Sequence, residues 1–296
     1  MTTKALKSKE KIFRVETKNA NKFVNKFTFS KKLVLIIPFV IITSLLVIAP
    51  LIVIIINIFN PASGSLQSNW GIMTGTIWQK IWKSIWISLV STLITIIISF
   101  PFAYSLSLVE NKIFKSITVL IVTAPIWINV LVKLIGLKSL FDIMNHELNS
   151  TYGDIYTIIG LVYLFCPFML LPIYNALQTL PKNLIYASKD LGRSSAYTFF
   201  AIVMPWCKPG IISGITLVLL PCFTSVTVPS FLNNSNNGSL IGDVIMNQGD
   251  SGLSSPVALA RTSVLVLVVG VISLALYTII VYLPKLVNVA RKRWNK

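Results

Sequence analysis

Residues that build metal and redox sites are scarce in this sequence. Its 296 residues include one histidine and three cysteines. His146 alone cannot assemble a metal site, and Cys166, Cys207 and Cys222 lack the C-x-x-C spacing of zinc and redox motifs. We therefore expect no metal site in this chain.

Motifs that bind nucleotide phosphates or activate a nucleophile are also missing. The sequence contains no G-x-x-x-x-G-K-[ST] phosphate loop and no G-x-S-x-G nucleophile elbow. These absences disfavour an enzyme, because the chain cannot hydrolyse a nucleotide through a phosphate loop of its own. We expect a protein without catalytic residues and without a cofactor of its own.

Apolar residues, by contrast, make up 54% of the chain, charged residues make up 12%, and the mean hydropathy is +0.77. This balance indicates an integral membrane protein. A helix needs about 20 mainly apolar residues to cross the hydrocarbon layer. Six runs meet this need and predict spans at about 33–59, 85–109, 117–137, 155–174, 210–228 and 257–283. The polar start and the long first run do not resemble a cleaved signal peptide.

Basic residues outnumber acidic residues by 26 to 9, which gives a net charge of +17. Most of them lie in segments on one side of the predicted spans, above all in the tails 1–32 and 285–296 that flank a transmembrane domain at 33–284. The positive-inside rule therefore predicts that both termini are cytoplasmic. Orientation and attraction to anionic lipid headgroups explain the charge, so we expect no nucleic-acid partner. The basic N-terminal tail is predicted to be either disordered or a helix on the membrane surface.

A polar interruption, residues 181–205, separates the fourth and fifth predicted spans. Pro181 suits the first turn of a helix, Gly192 suits its C-terminal stop, and Ser194 or Ser195 can cap a second helix. We expect Pro205 to end that second helix. The apolar positions predicted for the two helices are Leu184, Ala187 or Ser188 and Leu191 in the first, and Phe199, Phe200 and Val203 in the second.

A pair of short amphipathic helices in this position is typical of a docking surface for a soluble partner. A helix pair lying on lipid is the alternative, and a DNA-binding helix-turn-helix is disfavoured by the spans on both sides.

One charge interrupts the apolar runs, since Lys133 lies inside the third predicted span. A lysine in a span is either functional or close enough to the end of the span to reach the interface, and both interpretations stay open here. Prolines also recur in or beside the spans, among them Pro101, Pro125 and Pro221. They loosen helices locally, which suits a bundle that lines a path and changes shape.

Residues 181–205 resemble the EAA loop of the permease subunits of ABC importers. That pattern reads E-A-A, three residues, G, nine residues, I, any residue, L-P. Its positions are occupied here by Tyr186, Ala187, Ser188, Gly192, Ile202, Met204 and Pro205, and Asp190 lies between them. Tyrosine therefore replaces the glutamate of the pattern, which leaves the helix–glycine–helix geometry intact.

Further segments resemble the spermidine/putrescine (PotB-type) permeases of this family. A-P-I-W-I-N-V-L-V-K, residues 124–133, is similar to their P-F-W-x-N-S-L-[VI]-R segment and places Lys133 at the arginine position. The segments starting at Gly160, Pro209 and Leu240 match in the same order. The resemblance covers about residues 85–285.

This resemblance implies an all-α, six-helix membrane bundle with the type I ABC importer (MetI-like) permease fold in a bacterial plasma membrane. It implies a second permease subunit, two cytoplasmic ATPases that bind ATP and Mg²⁺, and an extracytoplasmic substrate-binding protein. The 181–205 loop would couple the membrane domain to the ATPases.

A polyamine substrate is a flexible polycation, for which we expect carboxylates or aromatic faces along the path. The expected path residues are Tyr104, Trp127, Asn129, Lys133, Tyr163 and Asp243. A permease for another small solute remains an alternative, as does a membrane scaffold or receptor that docks a soluble regulator.

Overall fold

The computed structural model describes residues 36–59, 66–144, 153–233, 239–252 and 255–294, with side chains up to Tyr282 in the last range. The basic tail 1–32 and the loop that contains His146 lie outside the described residues. The chain divides into two compact units, residues 1–59 and residues 60–296.

The described part of the first unit is one helix, α1 (Ile36–Phe59). Its 24 residues are long and apolar enough to cross a membrane, as expected for the first span. Its residues are apolar on all sides, which is the composition of a helix that faces lipid.

The described residues of the second unit form helices and connecting turns. The α-helices are α2 (Leu66–Trp70), α3 (Gly75–Leu108), α4 (Lys112–Thr123), α5 (Val130–Met144), α6 (Gly153–Gln178), α7 (Lys182–Asp190), α8 (Ser195–Thr198), α9 (Met204–Trp206), α10 (Lys208–Phe223), α11 (Thr227–Leu232), α12 (Ile241–Gly252) and α13 (Pro256–Trp294). A 3₁₀ turn (Ala124–Trp127) follows α4, and a π-helical turn (Phe199–Val203) joins α8 to α9.

Three helices of this unit, α3, α6 and α13, are each long and apolar enough to span a membrane. Two bent pairs add up to two more spans if each pair crosses once. In the first pair, α4 with its 3₁₀ turn meets α5 at 97°; in the second, the Ser195–Trp206 segment meets α10 at 68°. Together with α1, the described residues hold four spanning helices, or six with both pairs. The helix α13 also continues through most of the basic C-terminal tail predicted at 285–296.

The third predicted span, 117–137, is not one continuous helix. The chain leaves α-helical geometry between Thr123 and Val130. Pro125 lies in the 3₁₀ turn and supplies no backbone donor, and the Asn129 side chain accepts a hydrogen bond from the Leu131 N–H at 2.8 Å. This local bond starts α5 in a new direction.

The fifth predicted span, 210–228, also ends earlier than expected. Its helix α10 stops at Phe223, and Val228 belongs to α11. Pro221 lies in the last turn of α10, where the Thr224 hydroxyl and N–H both donate to the Leu220 carbonyl. The helix therefore ends with local partners for the backbone group of Leu220.

Helix α3 packs against α6 and α10 through a face that combines small polar side chains with buried apolar ones such as Ile87 and Phe100. Four of its hydroxyls donate to carbonyls of the same helix, and the Ser84 hydroxyl also accepts the Ile241 N–H of α12 at 2.9 Å. Small residues allow membrane helices to approach closely. The buried polar residues of α3 are Ser84, Ser88, Ser91, Thr92, Thr95 and Ser99.

Helices α6 and α10 approach each other at two glycines spaced as G-x-x-x-G. An added Cβ at Gly210 would lie 2.6 Å from the Pro172 carbonyl oxygen and 2.7 Å from the Ala176 Cβ. At Gly214 it would lie 2.5 Å from the Met169 sulfur. This contact sets the separation of α6 and α10, and hence the position of the segment that connects them.

We predict that Gly210→Ala destabilises the protein by about 1–3 kcal/mol, because the backbone oxygen of Pro172 cannot move aside for the methyl group. Gly270→Ala on α13 is the matched control, since nothing lies within 4 Å of its added Cβ. Thermal unfolding of the purified protein in detergent measures both. Equal Tm values for the two variants would contradict the close packing.

Candidate functional site

The segment between α6 and α10 forms the helix–glycine–helix arrangement predicted from its sequence. Gly192 has φ +71°, a value that favours glycine, and it ends α7 as expected. Its N–H donates to the Lys189 carbonyl at 2.8 Å, and the Arg193 N–H donates to the Ser188 carbonyl at 3.1 Å. This pair of bonds is a Schellman C-terminal cap, which turns the chain sharply into α8.

A buried hydroxyl pair holds the two helices of this segment together. The hydroxyls of Ser188 on α7 and Thr198 on α8 lie 2.8 Å apart, and both side chains are buried. The Ser194 hydroxyl accepts a bond from the Tyr197 N–H and caps α8, as predicted. The angle between the helices is therefore set by specific contacts as well as by Gly192.

The second helix ends at Trp206, one residue after the predicted end at Pro205. Helical geometry continues from α8 through the π-helical turn and α9, and the chain bends beside Cys207, where α10 begins. Pro205 lies in α9 close to this end and supplies no N–H to the π-helical turn before it. Ile202 is half-buried and packs against the main core, so the π-helical turn is anchored to the bundle.

An aromatic contact joins this segment to α3. The Phe199 ring meets the Phe100 ring edge-to-face at 5.1 Å and the Tyr104 ring at 5.3 Å. Phe100 and Tyr104 flank Pro101, the proline inside α3. Tyr104, expected in the substrate path, therefore lies at this contact.

Most of the segment's large apolar side chains point away from the bundle. The inward positions of α7 are Ile185 and Ser188, while Leu191 is 79% exposed. Ala187 and Asp190 are exposed as well. The exposed apolar surface, which we call the docking face, consists of Leu184, Tyr186, Leu191, Tyr197, Phe200, Met204 and Trp206.

A cavity of about 420 Å³ lies against the middle of α6. It is bordered by the 3₁₀ turn between α4 and α5 and by the turn between α10 and α11, where the α-helices are interrupted. Lys133 lines it with only 8% of its surface exposed, and its Nζ donates to the Pro125 carbonyl oxygen at 2.9 Å. The lining residues are Ile126, Val130, Lys133, Leu164, Phe165, Phe168, Pro221, Thr224, Ser225, Val226, Thr227 and Val228. We call this space the lysine cavity.

A second cavity, of about 330 Å³, lies between α11 and α12 and shares Val226 with the first. Asp243 lines it, and its carboxylate accepts bonds from the Ser230 hydroxyl at 2.7 Å and the Leu240 N–H at 2.9 Å. Burial raises the pKa of the Asp243 carboxyl, whereas these two bonds and the positive charge of Lys80 act in the opposite direction. Asp243 thus also holds the start of α12 against α11.

The remaining residues predicted for the path are not brought together. Trp127 is 88% exposed, Tyr163 is exposed on α6, and Asn129 caps α5. None of these three lines either cavity. The sequence did not identify Phe165 and Phe168, which line the lysine cavity. In the sequence they are two aromatic residues among the many apolar residues of the fourth predicted span.

Comparison with known proteins identifies the family. Residues 71–288 match the family described as binding-protein-dependent transport system inner membrane component. The chain belongs to this family. Its members are transport permeases, in agreement with the resemblance found in the sequence.

Two relatives show how far the similarity extends. A spermidine/putrescine transport system permease protein PotB homolog of Mycoplasma pneumoniae is 41% identical over 277 residues, which cover 90% of this chain and 97% of the relative. The permease protein PotB of Escherichia coli is 31% identical over 188 residues, 59% of this chain and 68% of the relative.

A solved structure supports the fold of the permease. A bacterial ABC transporter chain involved in the import of the acidic polysaccharide alginate matches with a TM-score of 0.59 at 13% identity, over 88% of this chain and 97% of that chain. The expected all-α permease fold of ABC importers is confirmed.

We predict that Gly192→Ala lowers stability by about 1–2 kcal/mol, because a Cβ is strained at positive φ. Gly192→Asn is the matched variant and should lose less, since asparagine tolerates this conformation better. Limited proteolysis of the segment and the Tm of the purified permease measure the effect. An alanine variant as resistant as the wild type would contradict the cap.

Proposed function

We propose that this permease forms part of the membrane path of a polyamine importer and is driven by separate ATPase subunits through residues 181–205. Relatives named as spermidine/putrescine permeases, one of them matched along 97% of its length, support the substrate class. The exposed apolar docking face on a rigid helix pair is the observation that carries the coupling role.

The proposed orientation places both termini and the docking face in the cytoplasm. The segment 181–205 carries Lys182, Lys189 and Arg193, and the basic tails lie on the same predicted side. Lys115 of α4 lies over the ring of Tyr174, near the C-terminal end of α6, after which the segment 181–205 follows. A further basic residue therefore lies at the same end of the bundle as this segment. A cytoplasmic docking face is accessible to an ATPase that carries ATP and Mg²⁺.

The docking face can transmit a movement because it is tied to the membrane helices. An ATPase that binds Leu191 and Tyr186 would move α7 and α8 as one body through the Ser188–Thr198 contact. The Phe199 contact then carries that movement to α3 beside Pro101. Two cytoplasmic ATPases, a second permease and an extracytoplasmic substrate-binding protein would complete the importer.

The lysine cavity favours a second candidate, an importer of a small solute with an anionic group. Among the described residues that line this cavity, Lys133 is charged and none carries a carboxylate. A fixed cation attracts an anion and repels a polycation at short range. Asp243 in the neighbouring cavity has the opposite charge, so both substrate classes find a complementary group.

Uptake by the reconstituted importer separates these candidates. We expect labelled spermidine to accumulate with ATP, and unlabelled putrescine, but not glutamate or a neutral amino acid, to compete. Accumulation of an anionic solute without polyamine uptake would favour the second candidate. A chain that purifies with neither an ATPase nor a second permease would instead support a scaffold or receptor.

We predict that Leu191→Asp reduces uptake and ATPase stimulation by about tenfold or more, because it places a charge at an exposed apolar contact of the docking face. Leu191→Met keeps the apolar surface and serves as the control. The residue is exposed within the chain, so the Tm of the isolated permease should not change for either variant. Wild-type coupling in the aspartate variant would exclude the docking role.

A further inference from the structure

Two helices end at the lysine cavity after starting from the same end of the bundle. The first is α4 with its 3₁₀ turn, and the second is α10; residues Ile126 and Thr224 at their ends both line the cavity. The α10 helix has 16 residues and is therefore about 24 Å long, which is shorter than the thickness of a hydrocarbon layer, about 30 Å. A helix C-terminus carries partial negative charge. Two such ends at one cavity favour a cation there.

The cation already present is the ammonium group of Lys133. It is removed from water, and it donates to the Pro125 carbonyl, which also accepts the Ile128 N–H at 3.3 Å. A buried ammonium needs acceptors in place of its hydration shell. In discontinuous membrane helices, backbone carbonyls and helix C-termini supply such acceptors without any carboxylate. The lysine cavity thus already holds one ammonium group on a backbone carbonyl.

The rest of the cavity suits the hydrocarbon part of an alkylamine. Phe165 and Phe168 line it with ring centroids 6.0 Å apart, next to apolar side chains of α5, α6 and α11. A lysine side chain is a butylammonium group attached to the backbone, so its size and charge equal those of one end of a linear alkylamine. Lys133 shows which ligand this environment accepts.

We propose that the lysine cavity binds a primary alkylammonium group and that Lys133 is its internal occupant, displaced when the ammonium end of a substrate enters. That the arriving substrate is a polyamine rests on the proposed function. The ammonium site itself depends on the residues of this chain alone. Displacement explains how a path lined by a fixed cation accepts a cationic substrate, because the two charges occupy the site in turn.

Chemical rescue of Lys133→Ala tests the site without any transport assay. The full importer is placed in phosphatidylcholine nanodiscs, so that no lipid headgroup supplies a primary amine, and its thermal unfolding is followed. We expect the variant to lose about 2–4 °C or more of Tm, and millimolar n-butylammonium to restore much of it. Neutral n-butanol, which has the same chain, should not restore it. Lys138→Ala on the same helix is the control and should not respond, because Lys138 does not line the cavity.

Equal stabilisation by n-butanol and n-butylammonium, or none by either, would overturn the proposal. If Lys133→Ala does not fold, Lys133→Met keeps the length of the side chain and removes the ammonium. Putrescine binding to that complex should then tighten about tenfold, in line with the loss of a competitor held by one hydrogen bond to a charged group. Unchanged or weaker putrescine binding to a folded methionine variant would exclude displacement. Rescue by n-butylammonium without any polyamine uptake would refute the substrate class and leave the ammonium site in place.

Discussion

The close packing of α6 against α3 and α10 is the constraint on which the rest of the second unit depends. Lipid tails are as apolar as leucine, so membrane helices gain little from burying large apolar surfaces against each other and gain more from close contact. Gly210 and Gly214 permit that contact between α10 and α6, and the hydroxyl residues of α3 permit it between α3 and α6. Because α6 and α10 are held this closely, the segment between them has little freedom in where it lies.

Helix α10 connects the two candidate functional regions of the permease. It begins just after the segment 181–205 and ends at the lysine cavity. In the proposed coupling, a movement of α7 and α8 would reach the cavity along one helix and would reach α3 through the Phe199 contact. The bends before and after α10 lie beside Cys207 and at residues 224–226, where helical hydrogen bonding is already interrupted. Such interruptions allow packed helices to change between two arrangements without unfolding.

Local patterns were read correctly where a residue's own chemistry decides the outcome. Gly192 at positive φ and Ser194 at a helix start follow from backbone sterics and from unpaired N–H groups, so their roles could be predicted from the sequence. The end of the second helix was predicted to within one residue, because the proline at 205 supplies no N–H to the turn before it. The break inside the third predicted span was not foreseen, because hydropathy measures the composition of a run and contains no information about the direction of its helix.

The sequence by itself determined that the chain is a membrane protein, where its apolar runs lie, and that one segment has the shape of a coupling loop. These properties depend on composition and on contacts between residues close in the chain. Only the tertiary structure decided that Lys133 and the end of α10 share a cavity, that Tyr104 packs on Phe199, and that Asp243 holds α12 against α11. Each of these contacts joins distant parts of the chain, and their positions follow from how closely the helices pack.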